Sequence, residues 1–268
     1  MDESAVALGS VMEGVLAELA RSSGAVARLT ALPGGATLDD HVHDFPYLSL
    51  HVLGAYREHG EAGEVRIAGP CAAFHPAGSA HGDRIEAAGL TTVVIEFDPA
   101  WLDQALGESV APGRSVYWRG GGLATQAQAL ARTCLQGEAS DTLDQAARFI
   151  ARAMHGGAQS PDPAWLDRLE ALIGEEGVEQ TAALAGRLGV TPAWLTRAYR
   201  DARGEGLADA LRRRRVEAAI GLLERGGLGL AEVAADAGFC DQSHMNRVFR
   251  AVLGRTPAEA QAERMRLQ

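Results

Sequence analysis

The chain has 268 residues, 47% of them aliphatic or aromatic and 22% charged, enough for one large domain or two ordinary ones and too apolar for a chain disordered throughout. A net charge of −10 excludes a protein whose whole surface binds nucleic acid or membrane, while leaving room for a local basic face. The three cysteines, Cys71, Cys134 and Cys240, form no Cys-x-x-Cys pair, which argues against a disulfide framework or a cysteine-based zinc knuckle and fits a reducing compartment.

Met1-Asp2-Glu3 carries no basic region of a signal peptide, and no apolar run is long enough to span a bilayer, so the expectation is a cytoplasmic protein with no membrane partner. All 25 cationic side chains are Arg, a skew that codon bias in a GC-rich bacterial genome would produce. Val6–Leu19 reads as a short helix. From Ala25 to Phe97 short apolar stretches follow: Val26–Leu32, Tyr47–Leu53, Val65–Ala68, Ala72–Phe74 and Thr92–Phe97. Pro33-Gly34-Gly35, Gly69-Pro70 and Pro76-Ala77-Gly78 separate them. Short strands at near-regular spacing with such breaks predict an all-β sandwich or barrel.

Within this half, His41-Val42-His43 on a strand sets two imidazoles on one face, because side chains alternate with period two. His81, from a neighbouring strand, would complete a facial site of three His, a donor set suited to Zn, Ni, Fe or Cu. The alternative is that His41, His43 and His81 line a polar pocket for an organic ligand or bond to loops at the rim. No Ser/His/Asp or Cys/His arrangement has local support and no Gly-rich phosphate loop precedes a helix, so no catalytic residue is assigned.

Leu123–Met154 predicts two amphipathic helices with a break at Gly137–Asp141. Gly156 to Pro163 reads as a linker. Beyond it, short helices are predicted over about 164–174, 180–188, 191–203, 207–226, 229–237, 242–253 and 256–266. Residues 1–160 hold 10 Arg against 19 acids, residues 161–268 hold 15 against 16, and Arg197–Arg215 alone holds seven against three. The expected domains are 1–122, a helical segment and linker over 123–160, and 161–268.

In Thr181–Arg203, Gly189 allows a tight turn, and Thr191-Pro192 supplies an N-cap and a first helical residue. Leu195, Ala198 and Tyr199 then share one face, leaving Trp194, Thr196, Arg197 and Arg200 on or near the other. The pattern returns over Leu230–Gly254. Val233, Met245, Val248 and Phe249 point inward, and Gln242, Ser243, His244, Asn246, Arg247 and Arg250 remain outside. Gln, Asn and Arg make bidentate hydrogen bonds to base edges, and side chains of this kind at the exposed start of a second helix can enter a major groove.

Ala231-Glu232-Val233-Ala234, Gly238-Phe239, Asp241-Gln242-Ser243-His244, Arg247-Val248-Phe249 and Gly254-Arg255-Thr256-Pro257, together with Leu184-Ala185, Gly189-Val190 and Leu195-Thr196-Arg197, resemble the DNA-binding domain of the AraC/XylS transcription regulators. Ala198-Tyr199 departs from the pattern, where a bulky apolar residue and Phe are usual. The resemblance covers roughly the last hundred residues and implies a reader of double-stranded promoter DNA, with Arg212–Arg215 on the connecting helix contacting or supporting the backbone. Gly35 ahead of His41-x-His43, and Gly69 ahead of Pro76-x-Gly78 and His81, resemble the two motifs of the cupin barrel, which many such regulators carry as a sensor.

The metal-binding cupin pattern has a Glu four or five residues after the second His; Tyr47 and Leu48 stand there, and Asp44, His51, His75 or Glu96 are the possible substitutes. The resemblance therefore implies an N-terminal cupin-like barrel with flanking helices and a C-terminal all-α double helix-turn-helix. It would be controlled by a small molecule or metal ion and would be a homodimer through the helices of 123–155. A metal-dependent cupin enzyme, or a regulator whose barrel only dimerises, are the alternatives.

Overall fold

The computed structural model describes residues 14–60, 63–107, 111–137, 141–155, 164–175 and 180–265. Two compact units emerge: Met1–Arg119 with Gln126–Ala158, and Gly120–Thr125 with Gln159–Gln268.

In the first unit, β1 (Val15–Arg21), β2 (Ala25–Leu32), β3 (Thr37–Val42), β4 (Tyr47–Gly60), β5 (Gly63–Ala68), β6 (Cys71–His75) and β7 (Ala80–Phe97) are followed by α1 (Pro99–Leu106), β8 (Val116–Arg119), α2 (Gly121–Gln136), whose residues up to Thr125 fall in the second unit, and α3 (Thr142–His155). The strands pair antiparallel in the order β1-β2-β7-β4-β6-β8, with β3 added to β7 and β5 to β4. Two long strands organise it. The first half of β4 pairs with the second half of β7, Tyr47 opposite Glu96 and Gly54 opposite Leu90, and the remaining halves pair from Tyr56–Ile85 to Gly60–His81.

Register slips between His51 and Tyr56 break the ladder where the two halves meet, as bulges do when a sheet must bend. Gly54 sits there at φ +88°, and a Cβ on it would lie 1.8 Å from the Gly89 carbonyl oxygen, so no other residue fits without backbone movement. The bend lets both halves contribute to one interior. Leu29, Leu48, Leu50, Phe74, Ile95 and Phe97 are buried, and a second cluster joins Tyr56, Ile67, Cys71, Ile85 and Leu90. An ion pair from Arg28 to Glu96 is buried between β2 and β7, the Glu96 side chain being wholly inaccessible. Trp118 of β8 meets Phe149 of α3 edge-on at 5.5 Å.

The helix expected over Val6–Leu19 is corrected for its second half: Val15–Leu19 lie in β1, and residues 6–13 fall outside the described residues. Pairing with β2, from Val15–Thr30 to Arg21–Val26, outweighs the local helical preference of Leu, Ala and Glu. The stretch expected as a separate strand over Thr92–Phe97 is the end of the 18-residue β7, and Tyr47–Leu53 continues to Gly60. Helix α1 and strand β8 were outside the expectation, although Asp98-Pro99 is a start signal. The Asp98 carboxylate accepts from the Trp101 N–H at 2.9 Å, and Pro99 occupies the first turn.

The second unit holds α4 (Ala164–Glu175), α5 (Thr181–Leu188), α6 (Pro192–Arg203), α7 (Leu207–Arg225), α8 (Leu230–Asp236), α9 (Gln242–Leu253) and α10 (Pro257–Met265), close to the predicted spans. Leu166, Leu169, Leu184, Leu195, Tyr199, Leu207 and Leu211 form one core. Val216, Ile220 and Leu223 on the later turns of α7 are buried, as are Val233, Met245, Val248 and Phe249 on α8 and α9, and α7 packs on both of those helices. The 19-residue α7 thus carries apolar residues for both hairpins along its length. Among the described residues no helix is long and apolar enough to cross a membrane.

Candidate functional site

The helical unit places the expected nucleic-acid residues on α6 and α9, from the first turn of each to Arg200 and Arg250 in the last. In α6, Leu195 and Tyr199 are buried while Trp194, Thr196, Arg197 and Arg200 are exposed, Trp194 at 44%. Gly189 is left-handed at the end of α5, and the Thr191 hydroxyl accepts from the Trp194 N–H at 3.2 Å, so turn and cap follow the sequence. In α9, Met245, Val248 and Phe249 are buried and Gln242, Ser243, Arg247 and Arg250 exposed, with Asn246 and His244 half-buried.

Asp241 caps α9, accepting from the His244 N–H at 2.6 Å. The His244 ring is held at the helix start, Nδ1 accepting from the Cys240 N–H at 3.3 Å and the ring edge-on to Phe239. The Thr196 hydroxyl donates back to the Pro192 carbonyl at 2.9 Å. Not every Arg in the basic run is free for a partner. Arg213 is bound to the buried Glu205 carboxylate, Nη2–Oε1 2.7 Å, and Arg203 to Glu170 at 2.5–2.9 Å. Arg214 bonds Glu217 at 2.6 Å and Arg212 pairs with Asp209. Of these four, Arg203 and Arg213 are the most deeply buried and stitch the helices together.

The sheet unit encloses a cavity of about 740 Å³ between the two sheet halves, and it gathers the three expected histidines. His41 and His81 lie directly opposite in the β3–β7 ladder, and His43 follows the end of β3. Their rings lie 4.4 Å (His41–His81), 4.9 Å (His41–His43) and 5.4 Å (His43–His81) apart, and one donor nitrogen from each lies within 4.8 Å of the other two. His41 Nδ1–H donates to the Asp39 carbonyl at 2.8 Å, which leaves the Nε2 lone pair for a ligand, as in backbone-oriented metal histidines.

Burial lowers the His43 pKa, and burial followed by repulsion between its own protonated form and the neighbouring His41 and His43 rings brings His81 down to about 4. Both rings are therefore neutral at pH 7, the form that binds a metal. Of the candidate substitutes for the cupin Glu, His75 joins the cluster, its ring 4.9 Å from His81, and Asp44 lines the cavity. Glu96 is engaged by Arg28, and His51 Nε2–H donates to the Gly54 carbonyl at 2.9 Å; neither lines the cavity. Tyr47, at the position where Glu is usual, stands opposite His75 across β4 and β6, stacks on it at 4.6 Å, and puts its hydroxyl 3.0 Å from His81 Nε2.

Sequence reasoning missed Glu58 and Asp83. Glu58 lies on β4 beyond the bulge, where the alternation of its first half no longer predicts which face a residue takes. It is buried at 3% exposure, accepts from the Tyr117 hydroxyl at 2.5 Å, lies 3.5 Å from His75 Nδ1, and burial raises its pKa to about 8. Asp83 is raised to about 6 by the same desolvation. Among the described residues no Arg lines the cavity, and its acidic side chains are Asp39, Asp40, Asp44, Glu58 and Asp83. The neutral rings of His43 and His81 beside the exposed carboxyl groups of Asp39, Asp40 and Asp44, without a guanidinium, attract cations and repel anions. The three-His set therefore fits a divalent ion of imidazole-binding type.

Residues 184–263 match the model of a helix-turn-helix domain family. The HTH-type transcriptional regulator GlxA of Rhizobium meliloti is 34% identical over 92 residues, which are 34% of this chain and 28% of that protein, so the likeness spans little more than a quarter of the relative's length. Among solved structures, ToxT of Vibrio cholerae O395 aligns over 90% of this chain and 98% of its own with 12% identity and a TM-score of 0.41. The C-terminal domain of the response regulator yesN of Fusobacterium nucleatum aligns over 37% of this chain and 99% of its own, at 22% identity and a TM-score of 0.35.

Proposed function

We propose that this chain, whose C-terminal domain is a helix-turn-helix domain of AraC type, is a transcription regulator rather than an enzyme, reading double-stranded promoter DNA under control of an effector bound in the sheet cavity. The observation that carries the reading is the division of α6 and α9. Each buries an apolar face, is capped at its N-terminus, and turns outward residues able to meet phosphates and base edges. Trp194, Thr196, Arg197 and Arg200 would serve one half-site. Gln242, Ser243, His244, Asn246, Arg247 and Arg250 would serve the next, about one helical turn away (~34 Å).

The effector in this reading is a divalent metal ion held by His41, His43 and His81, with Zn, Ni, Fe and Cu as candidates. Residues 1–122 form the sensor, 123–160 the dimerisation and relay segment, and 161–268 the reader, in a cytoplasmic homodimer. The metal's part is to bind one domain arrangement more tightly than another, since an effector with equal affinity for both shifts nothing. The neutral rings of His43 and His81 at pH 7 and the carboxyl groups of Asp39, Asp40 and Asp44 at the cavity edge both favour a cation there.

The test is metal content per chain by elemental analysis on tag-free protein, beside a His41→Ala/His43→Ala variant, with DNA affinity measured on a promoter fragment selected from random sequence. Near-stoichiometric metal lost from the variant, with metal-dependent affinity, is the expected outcome. No metal in the parent protein would make the cavity a site for an organic effector. DNA affinity indifferent to every ligand tried would leave the barrel as a dimerisation module only.

A further inference from the structure

Behind the three motif histidines, the same cavity holds a second set of metal donors that no cupin motif predicts. Glu58, from the far half of β4, and His75, at the end of β6, are 3% and 1% exposed. The His75 Nδ1 and Glu58 Oε1 atoms lie 3.5 Å apart, and one donor atom from each of Glu58, His75 and His81 lies within 4.8 Å of the others. The surrounding hydrogen bonds hold this geometry. Tyr117 donates to Glu58 Oε1, Ser115 Oγ stands 3.1 Å from His75 Nδ1, and Tyr47 stacks on His75.

Two buried polar atoms of the cavity wall make no hydrogen bond: His81 Nδ1, on a residue 4% exposed, and Asp83 Oδ1. An orphaned imidazole nitrogen at this depth forfeits a hydrogen bond it had in water, and a cation is one partner that would satisfy it. We propose that Glu58, His75 and His81 form a second, inner cation site, sharing His81 with the outer site of His41, His43 and His81. This rests on the reading of the cavity as a metal sensor and extends it.

The two sites differ in chemistry and depth. The outer donors are three imidazoles, and His41 is partly open to solvent. The inner donors are two imidazoles and a carboxylate, a harder set that takes Zn²⁺ or Fe²⁺. Lining by His43, His41 and His81 gives an entering ion ligands before it meets the inner pair. Glu58 also hangs on Tyr117 of β8, and α2 begins two residues beyond that strand. A cation drawing on the Glu58 carboxylate competes with the Tyr117 O–H for the same oxygen, so the inner site touches the strand that leads into the helical segment.

The experiment is Co²⁺ titration of the full-length protein, followed by visible absorption, whose d–d bands report donor set and coordination number. Wild type, His41→Ala/His43→Ala, Glu58→Gln/His75→Ala and the quadruple variant are compared, with far-UV circular dichroism verifying each fold. Glu58→Gln keeps an acceptor for Tyr117, and a Glu58→Gln single variant serves if the pair with His75→Ala unfolds. The inference expects the outer-site variant to retain Co²⁺ with a shifted spectrum, and the quadruple variant to lose it. Complete loss of Co²⁺ in a folded His41→Ala/His43→Ala variant, while wild type binds, would overturn the inner site alone. A wild type that binds no Co²⁺ would overturn the metal-sensor reading beneath it.

Discussion

Arg247 is the side chain on which base reading at α9 is most directly tested. It is exposed on the second turn of α9, one turn beyond the exposed Ser243 on the same side of the helix. Arg247→Ala should weaken binding to the selected promoter fragment by about 1–3 kcal/mol if the guanidinium bonds a base edge. Fluorescence anisotropy with a scrambled duplex of equal length decides the role, since an equal loss on both sequences would assign Arg247 to phosphate. Glu58 supplies a second test, through pH. Its folded pKa of about 8 lies above the ordinary carboxylate value, so from pH 4.5 to 8 the native state holds a proton that the unfolded state has released. Stability contributed this way is full below the unfolded pKa and declines as pH rises through the folded one. His81 at about 4 and the lowered His43 and His75 act oppositely below pH 6.5, where the unfolded chain binds the extra protons. In metal-free buffer, thermal stability should therefore fall between pH 6.5 and 8, and Glu58→Gln should flatten that fall; an unchanged slope in the variant would show that Glu58 is not its source.

At the scale of elements, caps and bends decide what the side chains can do. The α9 cap is a single carboxylate, Asp241, on the His244 N–H, and the helix it starts carries six of the expected DNA contacts. Asp241→Ala should cost about 1 kcal/mol of stability, the usual worth of a capping side chain. In urea unfolding the midpoint should fall with no change in slope, and a midpoint within error of wild type would deny the cap a stabilising role. Helix spans and both tight turns of this unit were legible in the sequence because their signals are local: Thr191-Pro192, Gly189, Asp241 and the spacing of buried Leu, Val and Phe. The sheet was legible only in part. β1 reads as a helix until β2 pairs with it, and β7 reads as a short strand until β3, β4 and β2 are laid beside it.

For the whole molecule, the net charge of −10 beside a locally basic helical unit makes salt dependence the test of the proposed DNA binding. Specific and non-specific DNA binding should both weaken linearly in log salt, with a slope of about 0.9 per phosphate neutralised. If the exposed Arg200 meets a phosphate, replacing it should reduce that slope by about one; a slope unchanged by Arg200→Ala would remove it from the phosphate contacts. On the proposed function, metal bound in the sheet cavity should alter DNA affinity without altering the slope when it shifts a population of binding-competent molecules rather than the contacts themselves.

The sequence by itself determined the two halves of the chain, the helix-turn-helix hairpins with their caps and outward Arg, and the three histidines of the cavity. The hairpins and the His41-x-His43 pair depend on residues within a few positions of one another, where helical and strand periodicity reach directly, whereas His81 comes from a separate segment and was joined to them by the likeness to the second cupin motif. Tertiary structure alone decided that Tyr47 stands against His75 and His81, that Glu58 and Asp83 join them, and that Arg203 and Arg213 are tied to carboxylates inside the helical unit. The reason is geometric. The bulge near Gly54 resets the alternation of β4, and β4, β6 and β7 meet only after the sheet bends, so which carboxylate faces which imidazole is a property of register between strands rather than of spacing along one.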